Sequence, residues 1–195
     1  MGIGPKWNAG RDQSLTMPEQ PASPDAQEAR ADEPETLRRF ETRTMNESAV
    51  HAVMTEARNC ALVMLESATY IQNELANVRM NDALRAQTEQ VCTALVGTKH
   101  DIISELFELD ELLGSEASAS VIRSRVNRIV QWFWDDITRM HQLVMALESA
   151  SKQDPACGPA YVLVAESATN ILNAFNGTKA AADSLRAEAA ETRNA

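Results

Sequence analysis

Proline is missing from most of this chain. The seven prolines lie at Pro5, Pro18, Pro21, Pro24, Pro34, Pro155 and Pro159, so the stretch from Glu35 to Asp154 has none, and only Gly97 and Gly114 interrupt it as glycines. A proline in a helix interior costs about 3 kcal/mol, and a glycine about 1 kcal/mol relative to alanine. A segment so free of breakers, and rich in Ala, Leu, Glu, Arg and Met, reads as long continuous helices. Aromatic residues are also scarce, at 5%, which suits aliphatic helix packing. No uninterrupted apolar run reaches the roughly 18 residues a membrane-spanning helix needs, so no membrane span is expected. The first residues, Met-Gly-Ile-Gly-Pro-Lys, lack the apolar core of an ordinary secretory signal. The expected location is therefore cytoplasmic, or exported without such a signal.

The three cysteines do not form a disulfide framework. Cys60 and Cys92 fall on apolar stripes and read as core residues. If the first two helices turn near Met80, these two sit about 12 Å out of register, too far apart for a disulfide. Cys157 falls in a turn, where exposure is expected. The net charge of −10 argues against nucleic acid as a partner, because that requires a basic footprint.

Catalytic signatures are absent as well. The sequence contains no P-loop, dinucleotide fingerprint, nucleophile elbow, His-Glu-x-x-His or Cys-x-x-Cys. Of the three histidines, only His51 has a carboxylate at helical spacing, Glu47, and that pair reads as a surface pair rather than a metal site. No di-iron pattern of Glu-x-x-His pairs occurs. Neither a catalytic residue, a metal nor a cofactor is assigned, and an enzyme is not expected.

What remains is periodicity. Residues 1–43 hold five of the prolines and show no helical period, so they read as a disordered Pro/Gly/Ser/Glu-containing tail. Residues 44–193 read as a four-helix bundle. Thr44-x-x-Glu47 has the spacing of a capping box, and the stripe Val50, Val53, Ala57, Cys60, Met64, Ala68, Ile71, Leu75, Val78 predicts a helix over 45–78. Asn77, Asn81 and Asp82 are weak punctuation before a second stripe, Leu84, Val91, Leu95, Thr98, Ile102, Leu106, Leu109, Leu113, which predicts a helix over 82–113 capped by Gly114. Failure of that punctuation would join the two into one rod about 100 Å long. Ile122, Val126, Ile129, Phe133, Ile137, Met140, Val144 and Leu147 predict a third helix over 119–152. Val162, Ala165, Thr169, Leu172, Phe175, Ala182 and Leu185 predict a fourth over 159–190.

Glu105, Glu108, Asp110 and Glu111 crowd the end of the second helix, with Glu116 beyond. Arg123, Arg125 and Arg128 open the third. Each cluster opposes its own helix dipole, and an antiparallel turn at Gly114 sets them side by side. The expected fold is all-α, an antiparallel up-down four-helix bundle behind a disordered N-terminal tail. Echoes between 62–68 and 143–150, and between 94–99 and 174–179, suggest duplicated hairpins. A third echo, between 66–69 and 166–169, has a different offset and conflicts with them.

The one unusual constellation is Gln131-Trp-Phe-Trp-Asp-Asp136, which holds three of the chain's nine aromatics. At 100° per residue, Phe133 points into the core and Trp132 and Trp134 lie on either side of it. Each tryptophan either fills a groove beside a neighbouring helix or anchors a partner, and Trp and Arg dominate interface hot spots. Arg128, Trp132, Trp134, Asp135, Asp136 and Arg139 are therefore the candidate partner-binding residues. The expected function is a non-enzymatic interaction protein: an adaptor, a regulator or an exported bacterial factor, with a protein partner. One alternative is a ligand-sensing bundle with a small molecule between helices near Gly97, Thr98, Gly177 and Thr178. Another is a self-assembling structural bundle, a homodimer.

Overall fold

The computed structural model of the chain describes residues 46–115 and 117–194. The disordered tail expected over 1–43, Thr44 of the expected capping box, and Glu116 lie outside the described residues. Four helices follow in order: α1 (Glu47–Glu74), α2 (Asp82–Leu113), α3 (Ala119–Gln153) and α4 (Gly158–Asn194), with a 3-10 turn over Pro155–Cys157 leading into α4. Helix α1 packs on α2 and α4, and α3 packs on the same two, so the helices form a closed antiparallel up-down ring.

Asn46 caps α1, its side chain accepting from the backbone N–H groups of Ser48 and Ala49. The helix stops at Glu74 rather than near Val78, and the rod is excluded by the turn that follows. Three devices make that turn. Asn77 Nδ2 donates to Glu74 Oε2 at 3.0 Å, Asn81 accepts from Leu84 N at 2.8 Å, and Arg85 Nη1 donates to Leu75 O at 2.6 Å. Arg85 Nη2 adds a bond to Val78 O at 3.2 Å. A guanidinium from the first turn of α2 thus satisfies the carbonyl of the residue that caps α1 and one in the turn beyond it. Met80 is buried beneath the turn, beside Thr88.

Gly114 ends α2, but with φ −76° and ψ −5°, an ordinary right-handed conformation. Its N–H donates back to Asp110 O at 3.3 Å, so glycine's special freedom is not used there. Beyond the turn, Arg125 Nη1 donates to Glu105 Oε1 at 2.8 Å and also pairs with Glu108, while Arg128 Nη1 lies 3.5 Å from Glu105 Oε2. The opposed charge clusters therefore meet across α2 and α3, and Glu105 is buried between them at 5% exposure.

The stripes expected for the first three helices form one core with the corresponding part of α4, with Val78, Leu84, Ile137, Val144 and Leu113 packed at its margin. The stripe of α4 is the exception. Val162 and Leu172 are exposed, and the buried face is instead Ala160, Leu163, Val164, Ser167, Ile171, Phe175, Thr178, Ala182 and Leu185. The upper half of the expected stripe was displaced by about one residue. Small side chains are buried on both α1 and α4, among them Ala57, Ala61, Ala68, Ala160 and Ser167. The expected stripe passed over Leu163, Val164 and Ile171 because apolar residues stand on both sides of the helix there, exposed Val162 and Leu172 each adjoining a buried one. Cys157 is likewise buried rather than exposed, because the 3-10 turn folds it back under the helix ends.

Candidate functional site

Phe133, Phe175 and Trp134 form the aromatic junction of α3 with α4. The Phe133 and Phe175 rings meet edge to face, with centroids 6.2 Å apart and planes at 61°. Such a pair is worth about 0.5–1.5 kcal/mol beyond its buried area. Trp134 rests on the outer side of Phe175 at 6.1 Å and keeps 53% of its surface in solvent. Trp132 is half-buried and packs against the core. The two indoles thus leave Phe133 in opposite directions, as the helical wheel requires, and only Trp134 presents a large free face.

Trp134 forms one wall of a groove of about 500 Å³ between α3 and α4, lined by Asn127, Val130, Gln131, Trp134, Phe175, Lys179 and Arg186. Its polar groups are ordered. Arg186 Nη2 donates to Asn127 Oδ1 at 2.6 Å, tying the two helices together, and Gln131 Nε2 donates to Asp135 Oδ1 at 2.8 Å. Lys179 Nζ lies 2.7 Å and Arg186 Nη1 2.6 Å from the carboxylate of Asp183. Both cations depress the Asp183 carboxyl below its ordinary value, the Lys179 hydrogen bond most strongly.

The six candidate residues do not form one surface. Trp134 lines the groove, and Asp135 holds its Gln131. Arg128 and Asp136 belong to the other edge of α3, facing α2. Arg128 reaches Glu105 there, and Asp136 is 1% exposed, its carboxyl influenced by the Thr98 hydroxyl. Arg139 accompanies Asp136 at 2.6 Å. Asp136 is a core residue and offers nothing to a partner. Sequence reasoning missed Lys179 and Arg186, because nothing in the α4 sequence marked its register against α3. The available signal was the seven-residue spacing, which puts both on one face.

The two glycines expected near an internal ligand have different surroundings. Gly97 is exposed, with open space where a Cβ would stand. At Gly177 a Cβ would meet Glu56 Oε2 of α1 at 2.6 Å, so its missing side chain is already replaced by a carboxylate. Glu47 and His51 are both exposed at the start of α1. Among the described residues, no three His, Cys, Asp or Glu side chains gather closely enough to hold a metal ion, and no helix is long and apolar enough to cross a membrane.

The chain matches no family model, no curated protein and no solved structure.

Proposed function

We propose that this chain is a non-enzymatic interaction protein, an adaptor or regulator, that docks a protein partner on the α3–α4 face around Trp134. The observation that carries the reading is the half-exposed Trp134 set against Phe175 in a groove with two cations. A rigid helical scaffold holds the indole in place, so little side-chain entropy remains to be lost when a partner covers it. Trp combined with Arg is the composition that most often carries binding energy at an interface centre. The face is also set apart electrostatically: Lys179 and Arg186 line it on a chain whose net charge is −10.

A photo-crosslinking residue in place of Gln131, in cells expressing the full chain, tests this reading. A discrete adduct is expected from position 131, lost when Trp134→Ala is added, with none from exposed Gln72 on α1. Adducts of equal yield from both positions, or none from position 131, would remove the α3–α4 face as the docking site.

A further inference from the structure

The groove has two chemically distinct ends. Trp134 and Phe175 form its apolar end. Lys179 lies one turn beyond Phe175, about 6 Å along the axis, and Arg186 about 10 Å further. No acidic side chain lines the groove. Asp183 pairs with both cations and Asp135 holds Gln131, but neither carboxylate lines the groove, so the lining itself presents two cations and no anion. A guanidinium has five N–H donors and an ammonium three, so each cation retains donors for a further acceptor. The other polar lining groups are neutral: Asn127, whose oxygen accepts from Arg186, and Gln131, whose amide donates to Asp135.

We propose, building on the docking role above, that the occupant of this groove is an acidic peptide segment of the partner protein, with one large apolar side chain seated on Trp134 and Phe175 and carboxylates reaching Lys179 and Arg186. The spacing limits the segment. An extended chain advances about 3.3 Å per residue, so a carboxylate about two residues from the apolar anchor meets Lys179, and another about three residues further along meets Arg186. A helical segment needs about four and seven residues for the same steps. Charge complementarity sets the direction: the acidic end lies toward the C-terminal part of α4.

Selection of a displayed library of random 12-residue peptides on the full chain tests this, followed by polarisation measurements with the labelled winners. The expected winners carry an aromatic or large aliphatic residue with two or more Asp or Glu on one side of it. Their affinity should fall at least tenfold in the Lys179→Glu, Arg186→Glu double variant, and similarly between 50 mM and 500 mM salt. Circular dichroism of the variants checks that the bundle is retained. Winners without acidic residues, or winners held equally by the charge-reversed variant, overturn the acidic segment; if they still require Trp134, the docking face survives. Winners indifferent to Trp134→Ala as well overturn both readings. Indole-3-acetate serves as a competitor. If it alone binds as tightly as the best peptide, the groove holds a small aromatic carboxylate and the peptide proposal fails.

Discussion

Arg139 Nη1 donates to Asp136 Oδ1 at 2.6 Å, an ion pair with its cation half in solvent and its anion in the core. The second oxygen, Oδ2, is buried without a hydrogen-bond partner. Thr98 of α2 approaches closely enough to favour the charged carboxylate, but not in hydrogen-bonding geometry for Oδ2. Burial raises the Asp136 carboxyl above its ordinary value, and this outweighs the opposing influence of Thr98 and Arg139; neighbouring Asp135 pushes it further up. A carboxyl whose folded value exceeds its unfolded one contributes stability in full below the unfolded value near 3.8, and loses it as pH rises through the folded value. At neutral pH the charged group is therefore a burden. Asp136→Asn keeps the shape and removes the charge. The variant should match or exceed the parent by about 1 kcal/mol at pH 7, with the difference shrinking as pH falls toward 4. Urea unfolding at pH 7, 5.5 and 4 reads this directly, and a clear loss at pH 7 would show the ion pair to be net stabilising.

Glu105 presents the opposite case, since both of its oxygens have partners. Removing Arg125 leaves a buried carboxylate with only Arg128 at 3.5 Å, so Arg125→Met should cost about 1–3 kcal/mol. Arg128 is half-exposed and makes the longer contact, so Arg128→Met should cost less than about 1 kcal/mol. Chemical unfolding of the two variants at low salt tests the order. Equal costs would mean that Glu105 depends on Arg125 no more than on Arg128.

The fold could be read from the sequence because three of the four helices bury large aliphatic residues at regular spacing, and that is the pattern periodicity detects. The charge clusters at the second turn supplied the α2–α3 register in advance, since opposite charges on the wrong ends of their dipoles need each other. The α4 face was hard to read because large apolar residues sit on both sides of its first turns: Val162 and Leu172 are exposed one position from buried Leu163 and Ile171. The site was half legible for a related reason. Trp134 announces itself, but Lys179 and Arg186 become neighbours of Trp134 only through the α3–α4 register, fixed by Phe133 on Phe175. The turn after Glu74 was weakly marked because its main stabiliser, Arg85, acts across ten residues on the Leu75 carbonyl, a contact no local turn rule anticipates.

The two internal glycines should respond differently to alanine. At Gly97 nothing lies within 4 Å of the missing Cβ, so Gly97→Ala should stabilise by about 0.5–1 kcal/mol from helix propensity and reduced unfolded-state freedom. At Gly177 the same change must displace the Glu56 carboxylate, and the gain should shrink or reverse. Combining Gly177→Ala with Glu56→Ala should restore it. Thermal unfolding of the four variants forms a cycle whose coupling term isolates the contact. A coupling near zero would mean that Glu56 moves aside freely.

The α1–α2 turn should be sensitive out of proportion to its exposure. Asn81→Ala removes an N-cap and should cost about 1 kcal/mol. Arg85→Met preserves the aliphatic stem but leaves the Leu75 and Val78 carbonyls without their donor, and should cost about 1–2 kcal/mol. Amide hydrogen exchange would show where the loss falls. Faster exchange is expected in the last turn of α1, with α3 and α4 unchanged. Uniform acceleration through the bundle would mean that the turn is coupled to global unfolding rather than to the local end of α1.

The cysteines give a prediction at high pH. Burial pushes the Cys60 thiol up from 9.0 to about 12 despite the Thr178 hydroxyl beside it, and the Cys92 thiol to about 11 despite a backbone hydrogen bond, with Glu89 adding to the rise. A thiol that stays protonated when folded and ionises when unfolded gives its full contribution below about pH 9. That contribution is lost between pH 9 and the folded values, because the native state then binds more protons than the unfolded chain. The slope is about 1.4 kcal/mol per pH unit for each thiol in that window. Cys60→Ala removes one such group and leaves a small cavity. It should be less stable than the parent at pH 8, yet lose less stability between pH 9 and 10.5. Lysines and tyrosines titrate in both proteins, so the difference in slope belongs to Cys60. Identical slopes would mean that the thiol ionises in place.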